Sequence, residues 1–258
     1  MKNMNRCYLS MALLSGSLLL TASCASHYEV AGVERSRILV DNRYDAQPDL
    51  RAANFIMPYK NKVDSMMTPV VGSTASYMAA YRPESELGNL LADILIWSAK
   101  DFEEKPVFAV YNVGGIRAAF AKGDVTIGDV LDVAPFENKI CFLTLTGDKV
   151  LQLFQQIAHR GGEAVSRAVR MVITKDGKLV EATLNGKPIE PTASYRIATL
   201  DYLAEGNDEM TAFKYGTDVF SPKQRENNVR YLIRNFFLEN KAQGKAVESH
   251  IEGRIVVR

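Results

Sequence analysis

The chain has 258 residues, 47% of them hydrophobic and 24% charged, enough apolar content to bury one sizeable core or two small ones. Its formal net charge is +1, with no lysine cluster or basic stripe, so it lacks the electrostatic footprint of a nucleic-acid-binding protein and any polyanion contact would be local. After residue 24 no apolar run approaches the ~20 residues that cross a bilayer as a helix.

At the N-terminus, Lys2 and Arg6 precede the apolar stretch Met11 to Leu20, which runs into Thr21-Ala22-Ser23-Cys24. Those are the basic, apolar and small-residue regions of a bacterial export signal, and a cysteine directly after small residues resembles a lipobox. We therefore expect a signal peptide over residues 1–23 and lipid attachment at Cys24. The product would be anchored through that lipid to a membrane of the bacterial cell envelope, facing the periplasm or the cell surface. Thr21 stands where an aliphatic residue is usual, which leaves a soluble periplasmic product open. Cleavage removes Cys7 and leaves Cys24 and Cys141; no disulfide framework or zinc spacing can be built from these, and Cys141 in Ile140-Cys141-Phe142-Leu143 reads as a buried core thiol.

Residues 24–59 read as a polar tether and N-terminal segment, with the folded domain over 60–258. From Asp49 to Met67, the residues Phe55, Ile56, Tyr59, Val63, Met66 and Met67 have a helical spacing that Pro58 interrupts. Val70-Val71 suggests a short strand. Leu87, Leu90, Leu91, Ile94 and Leu95 form the clearest amphipathic helix, over Glu84 to Ala99. Val107 to Tyr111 is continuously apolar and reads as a buried strand, and residues 124–131 as a turn entering a short helix. Next come a strand at Lys139 to Thr144, a helix at Gly147 to His159 and hairpin turns at Asp176-Gly177 and Asn185-Gly186. A buried strand at Tyr195 to Leu200, a helix at Val229 to Leu238 and a closing strand at Arg254 to Val257 complete the chain. Irregular alternation with hairpins predicts an α+β domain with a mixed sheet and packed helices.

The strand at 107–111 ends in Asn112-Val113-Gly114-Gly115-Ile116-Arg117. Glycines there let backbone N–H groups approach a ligand, and Arg117 offers a planar fork for phosphate or carboxylate oxygens. Pro135-Phe136-Glu137-Asn138 puts an aromatic ring and an amide on a loop stiffened by proline. Tyr202-Leu203-Ala204-Glu205-Gly206-Asn207-Asp208 has an aromatic residue after a buried strand and an aspartate after a glycine turn. Taken singly, Phe136 and Tyr202 are more often core residues than ligand platforms.

Together with Glu86-Leu87-Gly88-Asn89-Leu90 and Asp93, these segments resemble, in order and spacing, the C-terminal domain of the 5′-nucleotidase and UDP-sugar hydrolase family, over residues 60 to 258. The resemblance implies that fold and a substrate-recognition role. Phe136 and Tyr202 would sandwich a nucleobase, Asn138 would meet the base, Asp208 would accept hydrogen bonds from ribose hydroxyls, and Asn112 and Arg117 would approach the phosphate. Arg82 lies near the place of a further family arginine. Val113 and Tyr202 stand where glycine and phenylalanine are common, and Asn207 and Glu209 replace glycines that usually flank the aspartate.

In this family a separate N-terminal half performs hydrolysis with two metal ions held by aspartates, histidines and an asparagine. The chain contains only His27, His159 and His250, none in such a setting, so no catalytic residue, metal ligand or cofactor of its own is expected. Two functions follow. One is the nucleotide-recognition subunit of a split 5′-nucleotidase, completed by a separately encoded metallophosphatase that carries the divalent ions. The other is a non-catalytic nucleotide- or nucleoside-binding lipoprotein. A domain retained only for protein contact fits less well with the site residues.

Overall fold

The computed structural model describes residues 28–46 and 48–258; the export-signal reading and Cys24 lie outside them. The chain clusters into two units, Met1–Ala53 and Asn54–Arg258. In the first, the described residues carry a single 3-10 turn, Asn42–Tyr44, capped by the Asp41 carboxylate. Helix α1 (Leu50–Met67) starts on Asp49, whose side chain accepts the Arg51 and Ala52 N–H groups.

Pro58 does not interrupt α1, which is continuous through it. None of its residues is buried, so water can satisfy the carbonyl that proline leaves without a donor.

The second unit is built on a five-stranded mixed sheet of order β10-β4-β9-β2-β5. Its longest ladder joins β4 (Ile140–Thr146) and β9 (Ser194–Leu200), antiparallel from Ile140–Leu200 to Thr146–Ser194. Strand β2 (Phe108–Tyr111) runs parallel to β9, and the two-residue β5 (Ala164–Val165) pairs antiparallel with β2, Ala164 opposite Tyr111. β10 (Thr217–Phe220) forms the far edge. All of β2 is buried, as its unbroken apolar run predicts.

Helix α2 (Glu86–Ser98) is capped by Ser85, which accepts the Gly88 N–H, and buries Leu87, Leu90, Leu91, Ile94 and Leu95. Helix α4 (Gly147–His159) buries Val150, Leu153, Phe154 and Ile157; helix α6 (Val229–Ala242) buries Val229, Leu232, Ile233 and Phe237 and runs four residues past the predicted end. Each such side chain contributes about 1.5–3 kcal/mol when fully buried. A second sheet, β11-β6-β7-β8, contains β6 (Val169–Ile173), β7 (Leu179–Leu184), β8 (Lys187–Pro188) and β11 (Ile255–Val257). Its Asn185-Gly186 hairpin has both residues at positive φ, +51° and +73°, as a two-residue primed turn requires. A two-stranded ribbon pairs β1 (Val70–Thr74) with β3 (Gly123–Thr126), which leads into the short helix α3 (Ile127–Val133).

The Leu87-Gly88-Asn89-Leu90…Asp93 motif works inside this scaffold. Arg254, 1% exposed, ion-pairs with the Asp93 carboxylate at 2.7 Å and with Glu252. Asn89 donates to Glu84 Oε1 and to the His250 carbonyl, while the Glu84 carboxylate accepts the Glu252 and Arg254 N–H groups. These bonds fasten the C-terminal segment to α2. Cys141 is buried as expected, and burial, with Asp201 beside it, pushes its thiol up to about 11, so it stays protonated.

Candidate functional site

Strand polarity brings the three sequence segments to one edge of the sheet. β2 and β9 are parallel, so Asn112 and Asp201 leave the sheet on the same side; β4 is antiparallel to β9, so the loop that precedes Ile140 arrives there. Ligand sites in open α/β sheets favour the carboxyl ends of strands for this reason.

At this edge Asn112, Gly114, Gly115, Phe136, Asn138, Tyr202 and Asp208 line a cavity of about 210 Å³. Phe136 is 49% and Tyr202 37% exposed, so neither ring is spent on the core. Of the expected site residues only Arg117 is outside the lining: it is exposed, and its guanidinium reaches only the Gly114 carbonyl, at 3.4 Å. Arg82 turns away altogether, donating to the Gly162 carbonyl and pairing with Glu163.

The glycine turn is a 3-10 turn, Val113–Gly115. Gly115 N–H donates to the Asn112 carbonyl, so that group is engaged within the turn and is not directed at a ligand. A Cβ on Gly115 would sit 2.7 Å from Asn112 Oδ1; only glycine lets the amide fold over the turn. Asn112 Nδ2 donates to Asp208 Oδ2 at 2.7 Å, and its buried Oδ1 has no partner among the described residues.

Loop 134–139 is pinned from both sides. Val229 N–H donates to the Asn138 carbonyl, Arg230 to that of Pro135, and Lys139 N–H to Asp201 Oδ1. Tyr202 O–H donates to Asp208 Oδ1 at 3.2 Å, and burial and the Asp208 charge both raise the phenol above its ordinary pKa. Asp208 and Glu209 take positive φ, +53° and +61°. Aspartate tolerates this region through its short polar side chain. Asn207 steadies the turn by donating to the Tyr202 carbonyl.

Two residues of this edge escaped the sequence reading. Glu163, whose side chain is fully buried, accepts the Val113 N–H at 2.6 Å; Arg160 donates to Glu163 and brings Nη2 to 3.9 Å from Asp208 Oδ2. The signal available was Arg160-Gly161-Gly162-Glu163, a charged pair around two glycines after a helix. Chemically, the pocket offers two faces of aromatic ring, two side-chain amides and a carboxylate. Among the described residues no three His, Cys, Asp or Glu groups come together as a metal set.

The model of the 5′-nucleotidase C-terminal domain matches residues 62–215, more than half of the chain. The chain belongs to this family. Trifunctional nucleotide phosphoesterase protein YfkN of Bacillus subtilis is 28% identical over 243 residues, 84% of this chain and 16% of that protein. Protein UshA of Escherichia coli is 29% identical over 158 residues, 60% of this chain and 29% of that protein. Among solved structures, the 5′-nucleotidase precursor of Thermus thermophilus superposes with a TM-score of 0.69 at 25% identity, over 81% of this chain and 43% of its own. The chain thus spans less than a third of these two curated relatives and under half of that structure.

Proposed function

We propose that the chain is the nucleotide-recognition subunit of a split 5′-nucleotidase, working outside the cytoplasm with a separately encoded metallophosphatase. The observation that carries this reading is the convergence of Phe136, Tyr202, Asn138, Asn112 and Asp208 on one small cavity in a domain of this family. A base stacked between the rings would gain ~1–3 kcal/mol per contact, independent of which base it is. Asn138 would take its polar edge and Asp208 the ribose hydroxyls. The cavity is below the ~300–1,000 Å³ of drug-sized sites, which suits a base with part of a ribose and leaves the phosphate outside, on the side where Arg117 is free to meet it.

A partner has a surface available. Phe55, Ile56, Tyr59, Val63 and Met66 form one apolar stripe along α1 and are all exposed. Lipid attachment at Cys24 would hold the subunit at the cell envelope. The test is to look for an exported metallophosphatase lacking this domain encoded beside the chain and to purify the two together. Co-elution, and AMP hydrolysis by the pair that neither component matches alone, are expected; hydrolysis unaffected by the chain refutes the split enzyme.

One observation favours the non-catalytic binding lipoprotein instead. The pocket is lined without Arg117, so nucleoside capture needs no phosphate contact. Equal affinity for adenosine and AMP, together with no effect on any phosphatase, would support that function.

A further inference from the structure

Asn112 occupies the cap position of the Val113–Gly115 turn, yet its side chain makes no capping bond. An asparagine there ordinarily accepts an N–H from its own turn. The first N–H of the turn, that of Val113, is taken by Glu163 Oε2 at 2.6 Å. Register explains how the carboxylate arrives: Ala164 pairs with Tyr111 across the β5–β2 ladder, so the residue before Ala164 lies beside the residues that follow Tyr111. Asn112 itself donates Nδ2 to Asp208, and its Oδ1 takes no N–H of the turn.

We propose that Glu163 is a positioning residue that shapes this pocket, accepting the first N–H of the turn that follows Asn112 and, through Arg160, holding the glycine turn and Asp208 in fixed relation. Only its ligand readout rests on the nucleotide-pocket reading. Glu163 Oε1 faces both Arg82 and Arg160, which compensate a charge that would otherwise be costly to bury. Arg160 extends the link: Nε is 2.8 Å from Glu163, and Nη2 is 3.9 Å from Asp208 Oδ2. One guanidinium therefore faces the carboxylates behind both walls.

The test is Glu163→Gln in the purified chain, read by amide exchange and by the Asn112 side-chain amide resonance, with adenosine as the probe for binding. The variant is expected to raise exchange at Val113 by about tenfold while amides of β4 and β9 keep their protection. The Asn112 amide should shift as the turn that follows it loosens, and adenosine should bind about tenfold more weakly. Arg160→Lys keeps the charge opposite Glu163 but loses the fork; it should preserve Val113 protection and weaken adenosine by about threefold. Unchanged Val113 exchange and Asn112 resonance in Glu163→Gln would overturn the proposal, as would a general loss of protection that leaves the Asn112 amide where it was. Should Glu163→Gln fail to fold, an Arg160→Lys chain with wild-type affinity and an unmoved Asn112 amide overturns it equally. Failure of the wild-type chain to bind adenosine counts against the nucleotide reading, and the exchange measurement still decides the role of Glu163.

Discussion

Asn112 donates its side-chain amide to Asp208 across the pocket at 2.7 Å, joining residues that are 96 positions apart in the chain. The bond aims one carboxylate oxygen and Tyr202 holds the other, while Asn112 Oδ1 stays buried without a partner among the described residues. A hydrogen bond to a charged group contributes about 1.5–3 kcal/mol, so Asn112→Ala should weaken adenosine binding by roughly that amount. Asp208→Asn should do the same, and an asparagine tolerates the positive φ. Calorimetry with adenosine checks both; wild-type affinity in either would remove that residue from the ligand site.

The rings can be separated from the polar groups. Phe136→Ala and Tyr202→Ala should each cost ~1–3 kcal/mol of adenosine affinity without lowering Tm appreciably, because both side chains are exposed. Tyr202→Phe keeps the stacking face and removes only the bond to Asp208. It should therefore lose less affinity than Tyr202→Ala, and equal losses would show that the hydroxyl and not the ring matters.

The helix motif around Asn89 and Asp93 should behave oppositely. Arg254→Met strips the buried partner from Asp93, Glu252 and the Asn89 carbonyl, and losing one side of such a pair costs about 3–5 kcal/mol of stability. Denaturant unfolding should register this loss, while adenosine affinity, measured well below the transition, stays at the wild-type value. A selective loss of affinity would place the motif in the site.

Much of the edge could be read from sequence because its chemistry sits in short contiguous segments. Asn112, Phe136, Asn138, Tyr202 and Asp208 each belong to a turn or loop marked by glycine or proline next to an apolar run. The sheet order could not be read that way: β5 has two residues and β10 four exposed ones, too few for any period to emerge. The Arg160-Gly161-Gly162-Glu163 pattern went unread for a related reason, since its meaning depends on which strand lies beside β2. The Pro58 break was over-read; α1 runs through the proline and is exposed throughout, so water can take up the carbonyl it frees.

Alkaline pH probes the core at Cys141. Its thiol is neutral in the folded chain up to about 11, but in the unfolded chain it ionises near the ordinary thiol value of 9.0. Above pH 9 the unfolded state loses that proton first, so this contribution to stability is present below pH 9 and is lost as pH rises towards 11. Urea midpoints at pH 8 and pH 10.5 should differ more for wild type than for Cys141→Ala; identical differences would show that the thiol is not the source.

The central claim, that this chain supplies nucleotide recognition to a separate phosphatase, is tested most directly by AMP turnover in the reconstituted pair, wild type against Arg117→Ala, set beside the affinity of each lone chain for AMP. Arg117 is exposed in the isolated chain, so its loss there should change binding little. Enclosed against a partner, the same guanidinium meets a less hydrated phosphate, and turnover should fall by more than affinity does. Equal falls in both quantities, or turnover that does not depend on adding this chain, would contradict the account.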